Sequence, residues 1–93
     1  MNDQPRTPPL VSIVIVNYNG EEFIEACLRS VWAQEYRPIE VIVVDNGSHD
    51  RSIELIRANF ADVRLILNPV NTGFARANNQ GVANANGEFV VLL

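Results

Sequence analysis

Two apolar segments, residues 11–16 and 39–44, each end abruptly in polar residues whose types could bind a small polar ligand. The residues that follow are Asn17, Tyr18 and Asn19 after the first segment and Asp45, Asn46, Gly47 and Ser48 after the second. They offer amide groups, an aromatic ring and a carboxylate, which can stack on and hydrogen-bond to a heterocyclic base and its ribose. The chemistry predicted for this set is recognition of a nucleotide.

Both segments have the length and composition of buried parallel strands. They are rich in valine and isoleucine and do not alternate with polar residues, which is typical of strands covered on both faces. In open parallel sheets, ligands bind beyond the carboxyl ends of the strands, where the strand order reverses. If the two segments are neighbours in a sheet, the polar residues after them line one crevice.

Asp45 and Tyr18 are the main candidates in this crevice, and each also has a structural interpretation. The carboxylate of Asp45 can accept hydrogen bonds from an imide N–H or from ribose hydroxyls, or it can begin a turn through Gly47 into the next helix. The ring of Tyr18 can stack on a base, or it can be half-buried packing. Their occurrence at equivalent strand ends favours ligand binding. The secondary candidates at these ends are Asn17, Asn19 and Asn46.

The segment NTGFARANNQG, residues 71–81, supplies a third group of candidates. A helix is predicted to begin here, so backbone N–H groups near Gly73 could meet a phosphate. Arg76 lies in the first turn and could face the same phosphate or a carboxylate in solvent. Asn79 lies inside the helix, where asparagine is a poor helix former, and it could fix the end of the first strand. The many small residues of this helix would let it lie close to the sheet.

The remaining pattern predicts a three-layer α/β fold of the form βαβαβαβ. Strands are expected at residues 11–16, 39–44, 63–67 and 88–93, and each is expected to be covered on both faces. Helices are expected at about 21–34, 50–59 and 72–86. Right-handed crossovers then allow two common parallel sheets. The Rossmann-like order 3-2-1-4 is preferred and places a crevice between strands 1 and 4. The flavodoxin-like order 2-1-3-4 is the alternative, and periodicity does not decide between them.

Length and charge limit the possible functions. The chain has 93 residues and 47% hydrophobic content, which suffices for one small globular domain. A formal net charge of -4 and seven scattered basic residues argue against nucleic-acid binding. The single cysteine, Cys27, excludes an internal disulfide and a four-cysteine zinc site, and it suits a reducing compartment.

The two ends of the chain lead to further expectations. Residues 1–10 contain three prolines and lack the pattern of a signal peptide, so they are expected to form a disordered leader. No apolar run approaches the roughly 20 residues of a membrane span, and a cytoplasmic location is expected. The segment 88–93 stops without a turn, which suggests a truncated domain spanning residues 11–93 of a longer protein. Truncation would leave a strand edge open for pairing between copies as a homo-oligomer.

The motifs VSIVIVNYNG, IEVIVVDNGSHDRS, NTGFARANNQGV and GEFVVLL together resemble the N-terminal, nucleotide-binding half of family 2 glycosyltransferases with the GT-A fold. The resemblance runs from about Val11 to the last residue, and the order and spacing of the motifs make it specific. DNGS combined with NTGFARANNQG is most similar to the rhamnosyltransferase-like branch. The resemblance implies a parent enzyme that transfers a sugar from a UDP- or dTDP-sugar to an acceptor hydroxyl with inversion, in cell-surface polysaccharide synthesis.

The resemblance also implies roles for particular residues. Tyr18 and Asp45 are expected to hold the pyrimidine base and the ribose. Many members have a second acidic residue after the second strand, where this chain has Asn46. Many also have an Arg-Asn pair in the third helix. Here Asn78 stands at the Arg position and Asn79 matches the Asn, so a phosphate contact made by that arginine does not transfer.

The metal motif and the catalytic base of the family are expected beyond the last residue, so no catalytic or metal-binding residue is assigned within this chain. The longer parent is expected to use Mg²⁺ or Mn²⁺ to neutralise the diphosphate leaving group while a carboxylate deprotonates the acceptor. A noncatalytic module of the response-regulator type is an alternative, but it needs an acidic cluster after the first strand and a late lysine. The chain has NYNG there and no lysine. An assembly-prone piece without a ligand is the other alternative.

Overall fold

The structure is a computed structural model that describes residues 7–93, and it has the predicted βαβαβαβ architecture. The bounds are β1 Val11–Asn17, α1 Ile24–Trp32, β2 Ile39–Asp45, α2 Ser52–Asn59, β3 Arg64–Leu67, α3 Phe74–Ala83 and β4 Phe89–Leu92. Each helix is shorter than predicted, because polar residues at its ends are held in loops by neighbouring elements. Glu21, for example, accepts a hydrogen bond from the N–H of Arg51, and Asn86 contacts Glu40.

The leader expected at residues 1–10 lies partly outside the described residues, which begin at Thr7. Residues 7–10 form neither helix nor strand, but two of them contact the domain. The hydroxyl of Tyr36 donates to the carbonyl of Pro9, and the N–H of Glu88 donates to the carbonyl of Leu10 at 2.8 Å. These contacts attach the residues just before β1 to the amino end of the sheet.

The four strands form one parallel sheet with the order 3-2-1-4, which confirms the Rossmann-like order and excludes the flavodoxin-like one. β1 lies between β2 and β4. Its register with β2 runs from Val11 opposite Ile39 to Asn17 opposite Asp45. The ends of β1 and β2 therefore stand at one level, beside the place where the strand order reverses between β1 and β4.

The core has two parts, one on each face of the sheet. The buried residues under α1 and α2 are Ile15, Ile24, Leu28, Val31, Val41, Val43 and Ile56, and those under α3 are Val14, Ile42, Val44 and Ala77. Burial of one such aliphatic side chain contributes roughly 1.5–3 kcal/mol. A methyl group added at Gly81 would overlap Cγ1 of Val14. The prediction that small residues bring the third helix close to the sheet is confirmed.

β4 does not match the prediction that every strand is covered on both faces. All four of its residues are exposed, Phe89 to 59%, because the helices lie over β1 and β2 and only β1 pairs with β4 in the described part of the chain. A cavity of about 350 Å³ between α1 and β4 is lined by Ile13, Cys27, Ser30, Val31, Gln34, Val91 and Leu93. Pairing of copies through this edge stays a prediction, which light scattering of concentrated protein checks.

A carboxylate near the amino end of β2 connects three strands with the loop before β4. Glu40 accepts hydrogen bonds from the hydroxyl of Ser12 at 2.8 Å and from Arg64 at 2.9 Å. It also accepts from the backbone N–H and the side-chain amide of Asn86, at 2.9 and 2.8 Å. Burial acts to raise the pKa of Glu40, but the hydrogen bonds from Asn86, Ser12 and Arg64 outweigh it and lower the pKa to about 2.

We expect Glu40 to control the acid sensitivity of folding. The pKa of Glu40 is about 2 in the folded protein, against an ordinary value of 4.5. The ionised carboxylate therefore contributes its full stabilisation above about pH 4.5, and this stabilisation is lost as the pH falls from there towards 2. Glu40→Gln should lower the free energy of unfolding at neutral pH by roughly 1–3 kcal/mol. It should also flatten the decrease of that free energy between about pH 5 and 2. Urea unfolding at several pH values measures both effects.

Glu54→Gln is the matched control, because Glu54 forms an exposed ion pair with Arg51. Exposed pairs contribute little to stability. The assignment would be contradicted if the two variants had the same stability and the same acid dependence.

Candidate functional site

The ends of β1 and β2 are joined by a buried asparagine–aspartate pair. Asn17 and Asp45 stand opposite each other in the register and are 4% and 3% exposed. Nδ2 of Asn17 donates to Oδ1 of Asp45 and to Oγ of Ser52, at 2.9 Å in both cases. The sheet continues one residue further, since the N–H of Asn46 donates to the carbonyl of Asn17 at 2.8 Å. The two strand ends therefore form one bonded unit, as a shared crevice requires.

Asp45 also holds the turn that leaves β2. Its Oδ2 accepts the N–H of Ser48 at 2.9 Å, and its Oδ1 accepts the Ser48 hydroxyl at 2.6 Å. The turn passes through Gly47, which has φ 81 and where a Cβ atom would lie 2.9 Å from the carbonyl carbon of Val70. An ionised carboxylate has about four acceptor positions. Asn17 and the two Ser48 groups use three of them, and no other residue in the described part of the chain uses the remaining position on Oδ2.

Asn19 connects the loop after β1 to the loop after β2. Its N–H donates to Oγ of Ser48 and its Oδ1 accepts the N–H of His49, both at 2.8 Å. Its φ of 50 lies in the left-handed region, which asparagine tolerates better than most residues. The backbone N–H and side-chain oxygen of Asn19 thus shape the rim of the crevice.

A second reciprocal pair of hydrogen bonds lies one turn further along the same two loops. The N–H of Glu21 donates to Oδ2 of Asp50, and Oε1 of Glu21 accepts the N–H of Arg51, at 2.9 Å in both cases. Burial acts to raise the pKa of Asp50, but hydrogen bonds from Ser52 and Glu21 outweigh it and lower that pKa. A negative charge on Asp50 therefore helps to close the rim.

The ring of Tyr18 is 50% exposed beside a cavity at the end of β1. The cavity has a volume of about 220 Å³ and is lined by Ile15, Val16, Asn17, Tyr18, Gly20, Phe23, Ile24 and Cys27. A side chain at Gly20 would overlap Oδ1 of Asn17, so the loop after β1 can pass close to the strand end only with glycine there. Asn17 lines this cavity together with Tyr18, and its side chain donates to Asp45 at the adjacent strand end.

Asn46 is saturated by contacts with the loop between β3 and α3. It is 2% exposed, and its Nδ2 donates to Oδ1 of Asn71 at 3.0 Å and to the carbonyl of Gly73 at 3.1 Å. Its Oδ1 accepts the N–H and the hydroxyl of Thr72, both at 3.0 Å, and Nδ2 of Asn68 at 3.3 Å. An amide side chain has two donors and two acceptor lone pairs. Asn46 therefore positions this loop, and a contact with a base would require breaking these bonds.

Some of the backbone N–H groups just before α3 already donate hydrogen bonds within the protein. Gly73 has φ 90, and its N–H donates to Oδ1 of Asn71 at 2.8 Å. The N–H of Thr72 is already bonded to Asn46. A phosphate at this helix start would be met by the N–H groups that follow Gly73. Arg76 is exposed in the first turn, and it forms no ion pair with any other residue that the structure describes.

Two consecutive asparagines of α3 have opposite environments. Asn79 is exposed, and no hydrogen bond within the described residues supports its predicted contact with the end of β1. Asn78 is 6% exposed, and its Oδ1 has no partner in the described part of the chain. Gln80 exchanges hydrogen bonds with Asn68 beyond β3, and helical geometry puts Asn78 on the other side of Gly81, towards β4.

The burial of Asn78 was not predicted, although its spacing gives a signal. It stands next to Ala77 and three residues before Gly81, and both of these face the sheet. An unpaired buried carbonyl costs about 1–3 kcal/mol.

The acidic residues present do not fit a site for Mg²⁺ or Mn²⁺. Within residues 7–93, no group of three or more His, Cys, Asp or Glu side chains could hold a metal ion. Asp45 and Asp50 already accept hydrogen bonds from the residues around them. A search of the same residues for a helix long and apolar enough to cross a membrane finds none.

Comparison with known proteins matches nearly the whole chain. The family model described as Glycosyl transferase family 2 matches residues 12–93. An uncharacterised glycosyltransferase of Haemophilus influenzae is 39% identical over 89 residues, which cover 91% of this chain and 35% of that protein. The uncharacterised glycosyltransferase EpsJ of Bacillus subtilis is 40% identical over 85 residues, which cover 88% of this chain and 24% of that protein.

Solved structures show the same arrangement of elements. S. aureus TarS 1-349 in complex with UDP-GlcNAc has a TM-score of 0.82 at 27% identity, over 89% of this chain and 25% of that TarS chain. The mannosyltransferase PcManGT from Pyrobaculum calidifontis, in complex with GDP-Man and Mn²⁺, has a TM-score of 0.82 at 30% identity. That match covers 90% of this chain and 26% of PcManGT. The chain thus spans 24% to 35% of the length of these matched chains.

We expect Asn46→Asp to destabilise the domain, although it is nearly isosteric. The carboxylate cannot donate to Asn71 or to the carbonyl of Gly73, and it places a negative charge against both acceptors. The free energy of unfolding should fall by roughly 2–4 kcal/mol. Asn79→Asp is the control, because Asn79 is exposed. Chemical denaturation compares them, and equal stability of the two variants would disprove the positioning role of Asn46.

Proposed function

Since the chain belongs to glycosyl transferase family 2, we propose that it forms part of the nucleotide subsite of an inverting glycosyltransferase. The donor is a UDP- or dTDP-sugar, and the acceptor is a hydroxyl group. The observation that carries the proposal is the bonded pair of Asn17 and Asp45 at neighbouring strand ends. Ligands of open parallel sheets bind in such places, next to a reversal of strand order.

The groups still available at the joined strand ends suit a pyrimidine nucleoside. The half-exposed ring of Tyr18 offers a stacking surface. Asp45 keeps one acceptor position on Oδ2, which suits the imide N–H of uracil or thymine or a ribose hydroxyl. The cavity beside Tyr18, with a volume of about 220 Å³, suits a single ring. The complex of the similar protein TarS with UDP-GlcNAc supports this choice of base.

The diphosphate would lie towards β4 and α3. Arg76 is exposed in the first turn of α3, where the N–H groups after Gly73 also point outwards from the helix end. The catalytic base of the longer parent would come from residues outside those described. We propose that the parent also binds Mg²⁺ or Mn²⁺ there, as the PcManGT complex with Mn²⁺ suggests. The ion would supply charge neutralisation for the diphosphate.

Titration of UDP and dTDP into the chain, followed by amide chemical shifts, tests the proposal. Shifts should concentrate at residues 17–20 and 45–48. Tyr18→Ala should weaken binding by roughly 5- to 150-fold, because stacking of a base on an aromatic ring contributes about 1–3 kcal/mol. Tyr36→Ala is the matched control, since Tyr36 is 42% exposed and contacts Pro9 at the opposite end of the sheet.

Two results would contradict the proposed site. The first is equal nucleotide affinity of the two tyrosine variants, both shown to be folded by circular dichroism. The second is a set of shifts confined to the cavity between α1 and β4, around Val91 and Leu93.

A further inference from the structure

Three asparagine–glycine steps occur in the chain, and the fold gives each a different environment. They are Asn19-Gly20, Asn46-Gly47 and Asn86-Gly87. Such steps are chemically labile, because the glycine nitrogen, unhindered by a side chain at the next carbon, can attack the amide carbon of the asparagine. The reaction needs three things of its surroundings: a free glycine N–H, a free leaving amine and an amide oxygen that can take negative charge.

Asn46-Gly47 is protected from this reaction by hydrogen bonds and burial. The side-chain amide of Asn46 has five hydrogen bonds to the loop between β3 and α3, and the residue is 2% exposed. Its Nδ2, which would have to leave as ammonia, donates to two acceptors. Rotation of this side chain into an attacking geometry requires local opening of the domain.

Asn86-Gly87 is protected by hydrogen bonds to both of its reacting nitrogen atoms. Nδ2 of Asn86 donates to the carboxylate of Glu40 at 2.8 Å. The attacking nitrogen of Gly87 donates its hydrogen to Oγ of Ser12 at 2.9 Å. Both the leaving amine and the nucleophile are therefore engaged, although Asn86 itself is exposed.

Asn19-Gly20 lacks these restraints. Asn19 is exposed, and within residues 7–93 neither its Nδ2 nor the N–H of Gly20 has a hydrogen-bond partner. Its Oδ1 accepts the N–H of His49 at 2.8 Å. As the nitrogen adds, negative charge develops on this oxygen, and a fixed N–H donor stabilises it as in an oxyanion hole.

We propose that Asn19 is a site of spontaneous deamidation in the folded protein, whereas Asn46 and Asn86 are protected by the fold. A bond forms between the nitrogen of Gly20 and Cγ of Asn19, and the bond from Cγ to Nδ2 breaks. Nδ2 takes up the proton of the Gly20 amide and leaves as ammonia. Water then opens the cyclic imide at either carbonyl and yields aspartate or isoaspartate. One water is consumed and one ammonia is released.

The product changes the rim of the candidate site. Isoaspartate carries the backbone through the side-chain carbon, which shifts the N–H that Asn19 donates to Ser48. Either product adds a negative charge beside Glu21 and Asp50, which are already joined there. Repulsion of a bound diphosphate is a further consequence, and this one alone rests on the proposed function.

Incubation of the folded chain at neutral to mildly alkaline pH, followed by peptide mass mapping and an isoaspartate assay, tests the proposal. The mass change of amide-to-acid conversion should appear first in the peptide that contains Asn19. Asn46 should convert more slowly by on the order of a hundredfold, because several hydrogen bonds must break first. In denaturant the three sites should convert at similar rates.

Asn19→Gln removes the reactive step and leaves the other two as internal references. In this variant the deamidated peptide that contains position 19 should be absent, and the rates of conversion at Asn46 and Asn86 should be unchanged. Conversion of Asn46 or Asn86 as fast as Asn19 in the folded chain would overturn the proposal. This measurement involves no nucleotide, so its outcome is independent of whether the proposed function holds.

Discussion

A buried amide donates to a buried carboxylate where β1 and β2 end, and the candidate site depends on this hydrogen bond. Asn17 and Asp45 meet because the strands are parallel neighbours in one register. Removing either partner would leave the other buried without its hydrogen bond, which costs more than the bond itself contributes. Ser48 and Ser52 complete the cluster from the second loop and from α2. The rim therefore exists only when the sheet has its correct order.

Most of the polar groups around the crevice serve the fold, and few remain for a ligand. Asn19 and Asn46 form the hydrogen bonds that hold the loops after β1, β2 and β3 in place. The exposed groups are the ring of Tyr18 and the guanidinium of Arg76, and the buried Asp45 keeps one acceptor position that no described residue uses. This division favours recognition of a base by stacking and by few, well-fixed hydrogen bonds. Side chains that are already held by hydrogen bonds within the protein do not have to be ordered when a ligand binds, which reduces the entropy cost of binding.

The strands could be predicted because they depend on local composition, and their order could be predicted because it depends on how parallel strands are connected. Runs of valine and isoleucine locate β1 and β2, and right-handed crossovers leave few orders to choose from. The exposure of β4 could not be predicted, because its residues are as apolar as those of β1, and coverage depends on where the helices lie. The saturation of Asn46 depends on partners 22 to 27 residues away along the chain. The burial of Asn78 likewise follows from the rotation of α3 on the sheet.

A crystal structure of the chain with UDP is the most direct test of the central claim, that the joined ends of β1 and β2 hold a pyrimidine nucleotide. The account predicts the uracil ring stacked on Tyr18, with a donor of the base or the ribose within hydrogen-bond distance of Oδ2 of Asp45. The Asn17–Asp45 bond should be intact. UDP bound in the apolar cavity beside Val91, or at the Glu40 end of the sheet, with no contact to Tyr18 or Asp45, would contradict it.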